Sequence, residues 1–209
     1  MSNRVLVFIL LFSFFLIAMS LYIIKTLDPG VKPKPTSEVM NVAALNVKVN
    51  DHFKLKFADG KDFTFSNLQN KFTLIYFGFA HCPDVCPITL QKMKEAIDLL
   101  TVKEVDQTQF IFVSIDPIRD TMDDLQKFTT QFGAHIKAAT GTQVELDKLA
   151  LSLKAYYAKA GDEGDDYYVD HSSFVYLLDS KAELVSQFTP EISAEEMAKQ
   201  IKMRIMQQK

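Results

Sequence analysis

The chain has 209 residues and a formal net charge of −3, from 23 Lys and Arg against 26 Asp and Glu. That length admits one domain plus appendages, and basic and acidic residues are interspersed, so there is no basic footprint for nucleic acid. With only two cysteines, a structural zinc site made of four thiolates is excluded.

Val5 to Ile24, VLVFILLFSFFLIAMSLYII, is twenty residues without a charge. At about 1.5 Å per residue it matches a hydrocarbon core roughly 30 Å thick. A secretory signal would carry a shorter apolar region, about 7–15 residues, and a small-residue cleavage site. Ala18-Met19-Ser20 is a poor one, and no cysteine follows for lipidation. Residues 1–25 are therefore read as an uncleaved anchor, an N-terminal transmembrane helix. Arg4 lies on one side of it and Lys25, Lys32 and Lys34 on the other, so charge counting does not decide orientation. Pro29, Gly30, Pro33 and Pro35 make residues 26–43 a semi-extended linker. Residues 44–209 have the size of one domain.

Within that domain, FKLKFADGKDFTF alternates Phe53, Leu55 and Phe57 around Asp59-Gly60, a hairpin signal. KFTLIYFGFA is an apolar run expected of a strand covered on both faces. A helix over about 88–100 follows, then a second buried strand, QFIFVSID. Thr121 to Phe132 is expected to be helical with Asp120 as its cap, followed by a short strand near 136–139 and a helix over 144–157. The acidic group Asp162, Glu163, Asp165 and Asp166 reads as a solvated loop. SSFVYLLDSKAELVSQFT predicts a hairpin turning at Asp179 to Lys181, and Ser193 with Glu196 predicts a capped last helix. This order implies an α/β fold with a central mixed β-sheet flanked by helices.

Both cysteines fall in FAHCPDVCPITL. Pro87 disfavours helical geometry at Cys86 and suits the first helical position, which predicts Cys86 as the helix cap. The loop would then leave the C-terminal end of a buried strand, the edge where open α/β sheets place ligands. A helix N-terminus favours a thiolate, so the prediction is a lowered pKa at Cys86. Positions four apart lie within disulfide range, roughly 6 Å between Cα atoms, and they also allow two sulfurs to meet one metal. The spacing, wider than CxxC, tilts toward chelation and leaves thiol–disulfide exchange open.

Among the four histidines, His52 reads as surface and His135 as a helix-end residue. His81 adjoins Cys82 and is a candidate supporting group. His171, in DYYVDHSSFVYLLD, faces the cysteine loop if the strand after it lies beside the strand ending at Phe79. Two thiolates and one imidazole form a soft donor set suited to copper.

FGFAHCPDVCP, VSIDPIRDT and DYYVDHS, in that order, closely resemble the Sco/SenC family of membrane-anchored copper chaperones for cytochrome c oxidase assembly. The likeness runs from about Val47 to the C-terminus. It implies a thioredoxin-like fold, with copper held by Cys82, Cys86 and His171 and delivered to the dinuclear centre of oxidase subunit II. It also implies that Cys82 and Cys86 can form a redox disulfide, and that Asp116 supports the site alongside the candidate His81. The expected role is thus a binding protein, with no catalytic residue assigned. The alternative is a thiol–disulfide reductase that keeps partner cysteines reduced for metal loading. The expected place is the bacterial inner membrane with a periplasmic C-terminal domain, since no Arg- and Ser-rich transit segment precedes the anchor. The mitochondrial inner membrane facing the intermembrane space is the alternative.

Overall fold

A computed structural model describes residues 11–20, 22, 39–40, 42, 46–160 and 167–208. The chain separates into two units, residues 1–37 and 38–209. In the first, residues 11–20 and Tyr22 are helical, with Leu11, Phe12, Phe14 and Phe15 exposed. Among the described residues no helix is long and apolar enough to cross a membrane. The expected span over 5–24 lies partly outside them, as do most of the expected linker and the acidic group at 162–166.

The second unit is built on a sheet of eight strands: β1 (Val39–Met40), β2 (Lys54–Phe57), β3 (Asp62–Thr64), β4 (Phe72–Gly78), β5 (Thr108–Ser114), β6 (Ile136–Thr140), β9 (Val175–Leu178) and β10 (Leu184–Phe188). Their spatial order is β1-β10-β9-β4-β5-β6-β2-β3. β4, β5 and β6 run parallel and the other neighbours pair antiparallel, giving the expected mixed sheet. A separate ribbon pairs β7 (Tyr157–Ala160) with β8 (Tyr168–His171). The helices are α1 (Val85–Asp98), α2 (Val102–Asp106), α3 (Met122–Thr130), α4 (Gln143–Ser152) and α5 (Ala194–Gln207).

β4 is buried at every position, yet its side chains divide by the period of two that a strand imposes. Leu74 and Tyr76 pack with Leu90 and Met93 of α1, Leu125 of α3, and Met197 and Ile201 of α5. Ile75 and Phe77 face the other way, onto Leu146 and Leu149 of α4 and onto Leu55 and Phe63 of the β2–β3 hairpin. Helices therefore cover both faces, and β4, held between β9 and β5, is a rigid support for whatever emerges from its end.

Three elements differ from the sequence expectation. Val39–Met40, within the expected linker, adds an edge strand to β10. The helix expected over 144–157 stops at Ser152. Lys154 takes φ of +54°, and its N–H donates to the Leu151 carbonyl while Ala155 N–H donates to the Ala150 carbonyl, a Schellman stop. Tyr157 then opens β7. Finally, Asp120 does not cap α3. Thr121 does, its side chain accepting from Asp124 N–H, which leaves Asp120 free for a different task.

Candidate metal centre

β4 ends at Gly78 and hands the chain to Phe79, Ala80, His81 and Cys82, where Cys82 N–H donates to the Phe79 carbonyl at 3.2 Å. α1 starts at Val85 with Asp84 before it. Cys86 is therefore inside the first helical turn and is not its cap, a correction to the sequence reading. Proline is tolerated throughout a first turn, because those N–H groups have no intrahelical acceptor, so Pro87 did not mark the boundary. Cys86 is fully buried while Cys82 is part-exposed, and both are free thiols.

Gly78 makes the burial of Cys86 possible. A Cβ built on it would lie 2.7 Å from Cys86 Sγ and 2.8 Å from the Phe112 ring, so the strand end admits the sulfur only because no side chain is present. Tyr76, on the same face of β4, donates its hydroxyl toward Cys86 Sγ at 3.6 Å.

His171 is the last residue of β8, opposite Tyr157. Ser172 N–H donates to the Tyr156 carbonyl at 2.8 Å, and Tyr156 N–H donates to Ser172 Oγ at 3.0 Å, which fixes the chain just beyond the imidazole. Nδ1 lies 3.3 Å from the Ser172 carbonyl and Nε2 lies 3.7 Å from Cys86 Sγ. With its proton on Nδ1, the ring aims the Nε2 lone pair at the thiols. Tyr76 and Phe79 pack edge-on against it, with centroids at 6.0 and 6.1 Å. The ligating atoms of Cys82, Cys86 and His171 all lie within 4.8 Å of one another.

The two thiols are unequal. The adjacent Cys86 thiol holds Cys82 well below the usual thiol range, against its partial burial. The neighbouring Cys82 sulfur, reinforced by burial, pushes Cys86 up. The lowered thiol is thus Cys82 and not Cys86, again correcting the sequence reading. Two adjacent sulfurs cannot both carry charge cheaply, and the buried one is the costlier to ionise.

Asp116 and His81 stand outside this triangle. Asp116 is buried and accepts from Arg119 Nε and from the Tyr167 hydroxyl. Arg119 Nη1 donates to the Tyr167 carbonyl at 2.9 Å, and its guanidinium lies over the rings of Tyr167 at 3.7 Å and Phe79 at 5.6 Å. The aspartate therefore braces the start of β8 and the end of β4, the two segments that carry the donors. His81 turns to Asp120, with Nδ1 at 2.9 Å. Asp120 also accepts from Ala80 N–H at 2.8 Å and from the Ser114 hydroxyl at 2.6 Å. This buried carboxylate fixes the entry to the cysteine loop. His52 and His135 are exposed. Sequence reasoning missed Gly78, Tyr76, Arg119, Tyr167 and the loop role of Asp120. Only Gly78 carried a signal, as an isolated glycine in an apolar strand, which marks close approach.

The SCO1/SenC family model matches residues 42–206. The chain belongs to the SCO1/SenC family. Among relatives of this SCO1/SenC protein, a SCO2-like protein of Rickettsia typhi is 32% identical over 199 residues, covering 94% of this chain and 97% of its own. The structure of Bradyrhizobium japonicum ScoI with copper bound superposes with a TM-score of 0.67 at 35% identity, over 73% of this chain and 96% of that one. BsSco, a member of the Sco family of cytochrome c oxidase assembly proteins in which a disulfide switch was identified, superposes with a TM-score of 0.61 at 26% identity, over 77% and 94%. The α/β fold with its mixed sheet matches these thioredoxin-like Sco structures.

Proposed function

We propose that this SCO1/SenC protein binds copper through Cys82, Cys86 and His171 and delivers it to the dinuclear copper site of cytochrome c oxidase subunit II during assembly. The observation that carries the reading is the convergence of two sulfurs and one imidazole nitrogen within 4.8 Å. Soft thiolates with an imidazole suit copper, and relatives of the same fold hold copper. The donor set fits: Cys82 is already disposed to ionise, Nε2 of His171 is turned toward the sulfurs, and Tyr76 and Phe79 wall the ring. Asp116 and His81 serve as supports that hold the ribbon and the loop.

Exposure orders the transfer. Part-exposed Cys82 meets an incoming ligand set first, and buried Cys86 lets go last, so the cargo passes by exchange of one donor at a time. Loss of two electrons and two protons from the pair, taken up by a disulfide-bearing partner that leaves as two thiols, would join the sulfurs at about 2.05 Å and switch binding off. Residues 1–25 act as the membrane anchor and 26–43 as the linker, with 44–209 as the copper-binding domain. That domain sits in the periplasm of a bacterial inner membrane, or alternatively in the mitochondrial intermembrane space. The anchor reading is supported by the twenty uncharged residues from Val5 to Ile24.

One observation favours a second reading, a thiol–disulfide reductase. A lowered, accessible thiol beside a buried, raised one is the asymmetry expected of an attacking and a resolving cysteine. Titrating copper into the reduced chain, alongside its turnover on a small disulfide substrate, separates the two. One tightly held copper with negligible turnover supports the chaperone, and rapid turnover without stoichiometric copper supports the reductase. In the same titration His171→Ala should weaken binding and alter the spectrum. An unchanged stoichiometry, affinity and spectrum would overturn the three-donor site.

A further inference from the structure

Tyr76 presents a feature that a wall of the site does not require. Its ring is fully buried between α1 and the centre of the sheet, where phenylalanine would fill nearly the same volume. Buried tyrosine hydroxyls need a partner, and this one lies 3.6 Å from Cys86 Sγ. Cys86 Sγ is the partner the structure gives this hydroxyl. The phenolic proton is directed at the sulfur. The backbone beneath is fixed on both sides, since Tyr76 pairs with Phe112 of β5 and with Val175 of β9. The ring also packs edge-on against His171, so one side chain touches two of the three donors.

We propose that Tyr76 sets the donor strength of the Cys86 sulfur through this O–H···S hydrogen bond, and so biases the site toward its reduced forms. The reasoning has two parts. In the metal-free protein a thiol or thiolate accepts a hydrogen bond better than a disulfide sulfur does, so Tyr76 favours the dithiol. In the copper-loaded protein a hydrogen bond to a thiolate withdraws electron density from it, which lowers its donation to the metal and favours the less highly charged Cu(I). Tyr76 is thus a positioning and tuning residue and not a ligand. The second part rests on the copper reading above; the first does not.

The test compares the full wild-type chain with Tyr76→Phe. In its first arm, metal-free protein is equilibrated in glutathione redox buffers, where two cysteine thiols and one oxidised glutathione exchange for one protein disulfide and two reduced glutathiones. Loss of one hydrogen bond of ordinary strength should favour the protein disulfide roughly threefold to tenfold. By the two-electron conversion this is a potential about 15–30 mV more negative. In the second arm, Cu(II) is added and the sulfur-to-copper charge-transfer band is recorded; it should move to longer wavelength as the sulfur becomes a stronger donor. A folded Tyr76→Phe with unchanged potential overturns the first part, and one with an unchanged band overturns the second. If near-UV circular dichroism shows that Tyr76→Phe has lost its packing, 3-fluorotyrosine incorporated at position 76, a stronger O–H donor of nearly the same shape, replaces it: shifts in the opposite directions support the proposal, and unchanged values overturn it. A wild-type chain that binds no copper overturns the copper reading while the glutathione arm still decides the role of Tyr76.

Discussion

Gly78→Ala is the sharpest single test of how the strand end makes the site. The added methyl would stand 2.7 Å from Cys86 Sγ and 2.8 Å from Phe112, against 3.4 Å or more for ordinary contact. Neither neighbour yields easily. Phe112 is buried in β5 between Tyr76 and Phe128, and Cys86 rides on a helix packed against α5. Overpacking of this kind costs about 1–3 kcal/mol. For a domain of this size each kcal/mol lowers Tm by about 2–4 °C, so differential scanning fluorimetry should show a fall of roughly 2–12 °C. The sulfur must also retreat by more than the roughly 0.5 Å within which functional groups are held, so copper affinity should fall about 10–100-fold, the range for disturbed support around a metal. The assay pair is a thermal melt of the reduced metal-free chain and a copper competition titration on the same preparation. A variant with wild-type Tm and affinity would refute the claim that an absent side chain at Gly78 is what admits Cys86.

Further outcomes follow from the same geometry. In the reduced metal-free protein, iodoacetamide should label Cys82 at mildly acidic pH and leave Cys86 unmodified, as read by peptide mass spectrometry; preferential labelling of Cys86 would reverse the assigned asymmetry. Because Cys82 is depressed on folding, the unfolded thiol holds a proton that the folded one has released. Cys82 therefore contributes stability that is present above the unfolded thiol value of about 8.5 and is lost as pH falls toward its folded value. Above about 8.5 stability falls again, because the unfolded Cys86 thiol ionises while the raised, folded one keeps its proton. Asp120→Ala removes the acceptor shared by Ala80 N–H, Ser114 and His81; it should cost about 1.5–3 kcal/mol, seen in urea unfolding, and speed alkylation of Cys82. Arg119→Met keeps length but cuts the bonds to Asp116 and Tyr167, so hydrogen exchange should rise in β7 and β8 while β4 and β5 stay protected. Equal exchange in Arg119→Met and wild type would mean the ribbon does not depend on Arg119.

The sheet was legible because its strands obey simple periods: β4 as an unbroken apolar run, and β2 as Leu55 and Phe57 alternating with Lys54 and Lys56. The errors occurred where the usual stop and start residues are missing. Lys154 occupies the left-handed position that glycine or asparagine commonly marks, so nothing in the chain said that α4 ends there and that Tyr157 begins a strand. At α1, the proline pointed to a cap at Cys86, but the first turn tolerates proline at more than one place, and two residues of error moved the cysteine from cap to buried helix. The convergence of Cys82, Cys86 and His171 could be anticipated because motif spacing and the position of His171 before an apolar strand survive such shifts. The brace did not: that Arg119 would reach both Tyr167 and Phe79 depends on three loops meeting, which no local pattern encodes.

The misassigned acidity of the thiols bears directly on how the two functional readings relate. A helix N-terminus acting alone would have made Cys86 the reactive sulfur. Packing decides otherwise, because the missing side chain at Gly78 leaves Cys86 a fully buried niche in which the adjacent Cys82 sulfur and burial push its thiol up. Charge is thereby concentrated on the one sulfur that a partner can reach. That single asymmetry serves metal exchange, which needs an accessible first donor and a retained last one, and it serves disulfide chemistry, which needs an attacker and a resolver. His171 is what favours the proposed copper role: its Nε2 turned to Cys86 and its Nδ1 to the Ser172 carbonyl offer a third donor that thiol exchange does not require.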